Sequence, residues 1–216
     1  MKKFVVALAL TLIPTIANAS TFLQFSQVLF NTPWTIVNGT TITATNVQVN
    51  VTFDPSFCLV AGCGGLGNGI YLLNFSATDT GAAVNNAGII SQDFAGFISF
   101  TSLIGAINLL TVNFSDELSG SAGGSNPTLN SSQPPDIFTG SSDVFDPLKL
   151  GVPRGFALSF SNWLPGLSIV GGNIGGASAD ATGTFNATQT AIPEPATLVL
   201  MGAGLLAITR RLRSVK

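Results

Sequence analysis

Between residues 20 and 190 the chain alternates apolar and polar side chains in steps of two, and no other feature restricts its fold as strongly. Residues 40–53 place Ile42, and then Val47, Val49, Val51 and Phe53, on single faces, with a change of phase near Thr45 and Asn46. A phase change inside an extended run marks a β-bulge, because one inserted residue turns every later side chain to the other face. Residues 22–30, 70–76, 94–101, 107–115, 155–162 and 181–188 show the same habit and are rich in Val, Ile, Phe and Thr. A two-residue period with these residue types specifies half-buried strands. Clusters of Gly, Asn, Ser and Pro separate them at 61–69, 119–135 and 171–178. We read 119–135 as the longest surface loop.

Long helical patterns are absent outside the two termini. Charged residues make up 8% of the chain, against about 25% in an average soluble domain. Too few Lys, Glu and Arg remain to clothe exposed helices. The expected fold is therefore all-β: an antiparallel β-sandwich, jelly-roll or Ig-like, flanked by an N-terminal signal helix and a short C-terminal transmembrane helix. The expected divisions are 1–19, an N-terminal leader; 20–190, the sandwich ectodomain; and 191–216, a C-terminal tail.

The little charge present is unevenly placed. Lys149 and Arg154 are the only basic residues of the ectodomain, against nine acids. Two cations cannot neutralise a phosphate backbone, which argues against nucleic-acid partners. The net acidity also opposes adsorption to anionic lipid.

Both termini read as addresses. Lys2 and Lys3 precede an apolar run, and Ala17, Asn18 and Ala19 supply a small-x-small cleavage pattern before Ser20. That is the layout of a secretory signal peptide, with the mature chain starting at Ser20. At the other end Pro193, Glu194 and Pro195 precede the uncharged segment 196–209, and Arg210, Arg211 and Arg213 follow it. Fourteen helical residues rise about 21 Å, short of a hydrocarbon core of about 30 Å. Such a segment spans only with local thinning and snorkelling arginines, which act as a cytoplasmic membrane stop.

Pro193-Glu194-Pro195, the following Ala196-Thr197-Leu198, the short apolar segment and the terminal Arg cluster together resemble the PEP-CTERM sorting signal of Gram-negative bacteria. The resemblance covers about 25 terminal residues. It implies processing by an exosortase after signal peptidase, delivery to the outer surface, and a host that makes exopolysaccharide. The expected route is transient inner-membrane anchoring with the ectodomain in the periplasm, then the cell surface or the extracellular space. The leading function is an exported surface or matrix structural protein that is not an enzyme. The alternatives are a carbohydrate-binding surface module and a C-terminally anchored protein that is never cut.

Few residues suit chemistry. Without histidine there is no Ser-His-Asp triad, and Lys149 alone could serve a Ser-Lys dyad. Asp143 and Asp146 are close in sequence and read as turn residues, with calcium ligation or a glycosidase-type carboxylate pair as rivals. Cys58 and Cys63, in an oxidising compartment, are expected to form a disulfide closing a small loop. The run Gly62–Gly67 has the letters of a dinucleotide fingerprint but not its strand–turn–helix setting. Trp34, Trp163 and Tyr71 read as core or half-buried residues, with stacking on sugar rings as the rival. Asn38, Asn50, Asn74, Asn113, Asn130 and Asn186 head Asn-x-Ser/Thr triplets, which abundant Asn, Ser and Thr produce by themselves. No cofactor and no metal is expected.

Overall fold

The computed structural model describes residues 19–28, 34–37, 40–133 and 138–189. It contains thirteen strands in chain order: β1 (Ala19–Gln27), β2 (Trp34–Val37), β3 (Thr41–Phe53), β4 (Gly69–Asp79), β5 (Val84–Asn86), β6 (Ile89–Thr101), β7 (Asn108–Ser121), β8 (Thr128–Gln133), β9 (Phe138–Ser141), β10 (Leu150–Leu164), β11 (Ile169–Val170), β12 (Asn173–Ile174) and β13 (Ala177–Gln189). Only 3-10 turns, at Pro55–Phe57 and Ala61–Gly65, break the all-β character of the described residues.

Eight strands close into an antiparallel barrel. Each pairs with the next around the ring: β1, β3, β4, β6, β7, β8, β10 and β13, with β13 returning to β1. The order around the ring is the order along the chain, so this is an up-and-down barrel. Short β2 occupies the same lane as β1, pairing with β3 through Ile36↔Ile42 and with β13 through Ala177↔Ile36. Strands β5 and β9 flank β6 and β7.

The closed barrel replaces the expected two-layer sandwich. Alternation decides which face of a strand is buried, and a sheet rolled on itself satisfies it as well as two stacked sheets do. The two expected flanking helices belong to 1–19 and 191–216, which apart from Ala19, the first residue of β1, lie outside the described residues. The segment read as the longest loop is mostly strand: β7 runs to Ser121 and β8 fills Thr128–Gln133. The bulge near Asn46 is present. Pairing of β3 with β4 shifts between Ala44 and Val47, and Asn46 has φ 52°.

Inward residues form continuous rows. Val51, Phe25, Gly183, Leu158, Leu129, Leu118 and Gln92 are successive register partners on β3, β1, β13, β10, β8, β7 and β6, and all are buried. Gly183 makes room in that row: a Cβ there would stand 2.6 Å from both Phe25 and Leu158. Along the barrel runs a chain of aromatic contacts, Phe53–Phe145–Phe22–Phe185–Phe156–Phe114–Phe75–Trp34–Phe160–Trp163, with ring centroids 4.7–6.2 Å apart. Such pairs add about 0.5–1.5 kcal/mol each beyond the burial of their surface. An apolar interior with a polar exterior is the reverse of the arrangement a lipid-spanning barrel needs.

Gly96 on β6 fits against β4 only because it lacks a side chain. A Cβ there would run into the carbonyl oxygen of Ser76 and the Cα of Ala77. Gly96→Ala is expected to cost about 3 kcal/mol, at the top of the overpacking range. Gly67→Ala, with open space around the new methyl, should stay within about 0.5 kcal/mol. Urea unfolding followed by the fluorescence of buried Trp34 and Trp163 measures both. Equal midpoints for the two variants would contradict the packing of β6 on β4.

Candidate functional site

The end of the barrel from which the chain leaves gathers most of the residues singled out in the sequence. Strand β1 begins there and β13 finishes there, through the partners Ala19↔Thr188. Ala19 and Ser20, which flank the expected signal cleavage point, are exposed at the start of β1. The expected cleavage is therefore at the edge of the folded body and would remove only one residue of its first strand. Ala17, Pro193, Glu194, Pro195, Arg210, Arg211 and Arg213 lie outside the described residues.

Two loops cap this exit end. Asp54 starts the first, its carboxylate accepting from Ser56 N at 2.8 Å, and Pro55 sets the backbone of the 3-10 turn that follows. The turn drives Phe57 into the interior against Phe22. The second loop is zipped to the first. Leu59 N donates to Val144 O at 2.8 Å, Asp146 N donates to Phe57 O at 2.9 Å, and Cys58 bridges Phe145. Lys149 Nζ donates to Cys58 O at 2.7 Å and ties the two together again.

Cys58 and Cys63 form a disulfide with Cα atoms 5.2 Å apart. The loop it closes is small, worth about 2 kcal/mol in chain entropy, so it fixes the cap rather than the barrel. Cys63, Gly64 and Gly65 have positive φ. The glycine run is thus a turn pinned by the disulfide, not a nucleotide cradle.

The acids of this end are engaged by backbone amides. Asp143 Oδ2 accepts from Asn108 N at 2.9 Å, and Asp146 Oδ1 accepts from Leu148 N at 3.0 Å. Asp146 shapes its own turn, whereas Asp143 ties its loop to the start of β7. Among the described residues no group of three His, Cys, Asp or Glu is placed to hold a metal ion.

The sugar-stacking candidates are core residues. Trp34 is 0% exposed and Trp163 1% exposed, packed on Phe75 and Phe160. Tyr71 is also buried, and its hydroxyl donates to Gly67 O at 2.9 Å. None presents a ring face to a ligand, because β2, β4 and the end of β10 turn these positions inward.

What the sequence left unmarked is the outer face of β3, β1, β13 and β10. Asn50, Ser26, Thr182 and Ser159 are successive partners across it, as are Thr52, Gln24, Thr184 and Ala157. These residues line a groove of about 370 Å³. Its polar groups are hydroxyls and carboxamides, with no carboxylate or cation. It can offer hydrogen bonds to a neutral ligand or to water, but no acid, base or nucleophile pair. Of the Asn-x-Ser/Thr asparagines, Asn50, Asn113 and Asn130 are exposed on strands. Asn74 Oδ1 accepts from Asn46 N at the bulge, and Asn186 accepts from Thr21. Asn38 lies outside the described residues.

By class, then, the described body is a water-facing, eight-stranded up-and-down β-barrel with its first and last strands paired. Residues 191–214 match the family model of the PEP-CTERM protein-sorting motif. No curated protein and no solved structure matches the chain. The chain carries a PEP-CTERM sorting motif and is an exported, exosortase-targeted protein. No described helix is long and apolar enough to cross a membrane; the apolar segment 196–209 falls outside the described residues.

Burial holds the Tyr71 hydroxyl above its ordinary pKa of 10.0. The neutral ring therefore contributes its full stability below pH 10, and that contribution is lost as pH rises through the folded-state value. Tyr71 is the chain's single tyrosine, so phenolate absorbance reports it alone. Its titration midpoint should lie above 10.0, and Tyr71→Phe should remove the part of the alkaline stability loss that it causes. A midpoint at the ordinary value would contradict the buried hydroxyl.

Proposed function

We propose that this protein is a non-enzymatic structural component of the cell surface or extracellular matrix. The sorting motif at 191–214 carries the reading, since it makes export and terminal processing the one assigned event in the chain's life. In this account signal peptidase cuts before Ser20, the tail holds the ectodomain transiently at the inner membrane, and exosortase cleaves near Pro193-Glu194-Pro195. The barrel supports a structural role. Its interior is occupied by aromatic side chains, the carboxylates of Asp54, Asp143 and Asp146 are held by backbone amides, and the outer face of β3, β1, β13 and β10 is a field of neutral hydroxyls and amides.

Carbohydrate binding ranks second. The groove on β3, β1, β13 and β10 suits a neutral glycan by its hydrogen-bonding groups, but Trp34, Trp163 and Tyr71 are unavailable for stacking, which supplies much of the recognition of a sugar's apolar face. Contact with extracellular polysaccharide is accordingly weak and distributed in this account.

Mass spectrometry of the protein from its native envelope tests the proposal. The mature form should start at Ser20 and lack the residues beyond about Pro195. Replacing Pro193, Glu194 and Pro195 together by Ala should leave the tail attached and the protein in the inner membrane. A mature surface form that retains Lys216 would contradict the processing and favour the permanently anchored alternative.

A further inference from the structure

The capping loops of the exit end bring together apolar side chains that lie far apart in sequence. Ile104 is 84% exposed, Leu148 75%, Leu59 56%, and Val60 and Leu103 54% each. The β6–β7 turn carrying Leu103 and Ile104 is joined to the 142–149 loop through Asn108 N to Asp143 Oδ2 and Asp143 N to Asn108 O, both 2.9 Å. That loop is zipped to the one carrying Leu59 and Val60 through Leu59 N to Val144 O. Three loop tips thus project apolar groups from the same end, each braced by hydrogen bonds below it.

The chain leaves this same end at Gln189, paired with Leu150 at the base of the cap. Only residues 190–195 separate Gln189 from the apolar segment that starts at Ala196. The seven steps from Gln189 to Ala196 reach at most about 25 Å in any conformation. While 196–209 is in a bilayer, the exit end cannot stand farther than that from its surface.

Charge distinguishes the two ends. The far end also exposes apolar residues, Val84, Leu164 and Val170. It carries Asp79, Asp93, Asp116, Glu117 and Asp180, with no basic residue among its described positions. Lys149 and Arg154 both lie toward the exit end, where the described acids are Asp54, Asp143 and Asp146, three against the five of the far end; Arg154 is the register partner of Ala187 near the end of β13. The acidity of the whole body therefore does not oppose approach evenly: it repels the far end from an anionic bilayer most strongly.

We propose that, before the tail is cut, the exit end docks on the membrane from which the tail emerges, with Leu59, Val60, Leu103, Ile104 and Leu148 inserted at the headgroup level. Docking orients the barrel upright and holds 190–195 at the lipid surface, where a membrane-embedded processing enzyme works. It rests on the reading of 196–209 as a membrane segment.

The test uses the full chain reconstituted in vesicles of phosphatidylethanolamine with phosphatidylglycerol as the minority lipid. Ile104→Cys and Val84→Cys, both at exposed positions, are each labelled with an environment-sensitive nitrobenzoxadiazole dye under conditions that leave the Cys58–Cys63 disulfide intact. The dye at 104 should brighten about threefold on reconstitution and be quenched by a nitroxide carried on the lipid headgroup, while the dye at 84 stays unchanged. Co-flotation with both reporters unchanged, or with both brightened equally, would overturn docking and leave the tail's membrane role standing. A chain that does not float with the vesicles would refute the membrane segment and, with it, the docking.

Discussion

The pairing of the first strand with the last holds this structure closed. Every other contact in the ring joins strands that follow one another, whereas β1 and β13 meet across the length of the body; Thr21 and Asn186, 165 positions apart, share a hydrogen bond. Without that seam the meander would be an open sheet with two long edges, and its aromatic face would be wet. With it, every strand of the ring has a hydrogen-bonded neighbour on each side, even though β7 and β8 meet over only three residue pairs, and closure of this kind is how a β protein avoids edge-to-edge association. The cost is kinetic: the seam requires residues near both ends of the body, so closure follows the arrival of β13 and pays a long loop-closure entropy.

The seam also brings the two expected processing points together. Because Ala19 faces Thr188, the expected start of the mature chain and the departure of the tail stand side by side. The two caps that seal this end take polar backbone out of the barrel mouth by zipping to each other, and the disulfide keeps the first cap from fraying. The far end is sealed differently. Buried Gln92 on β6 donates to Gly81 O and Asn173 Oδ1 and accepts from Ile174 N, which pins the β11–β12 hairpin over the opening. One end is therefore closed by apolar plugs and the other by a polar clasp, and only the first lies beside the tail.

The sequence revealed the strands wherever inward positions were apolar and hid them wherever they were not. β8 was invisible because its inward positions alternate Leu129 with Ser131, which leaves too weak a pattern among Ser, Asn and Gln. The first part of β6 was missed for a similar reason: its inward Gln92 reads as a loop residue until its three hydrogen bonds are seen. The bulge at Asn46 was legible because a phase slip is a local signal. Barrel closure was not, since alternation is blind to which strands pair. The tryptophans are core, as preferred, but a stacking reading stayed open beside it because aromatic type says nothing about facing, and the groove escaped notice because Ser, Thr, Asn and Gln on an outer face look like ordinary solvated surface. The sorting tail was readable from composition and order alone, as an address must be if a membrane enzyme is to find it on many different bodies.

The seam between β1 and β13 can be tested by cross-linking. Gln24 and Thr184 are direct register partners on the outer face, and opposed residues of antiparallel strands have Cα atoms about 4.5–5.5 Å apart, within disulfide range. With Gln24→Cys and Thr184→Cys introduced together, oxidation of the folded full chain should join the two cysteines, seen as one linked peptide by mass spectrometry, while the Cys58–Cys63 bond stays intact. Two new cysteines that remain free under conditions where the native pair is oxidised would mean that the sheet is open, and the account of a closed body with both termini at one end would be wrong.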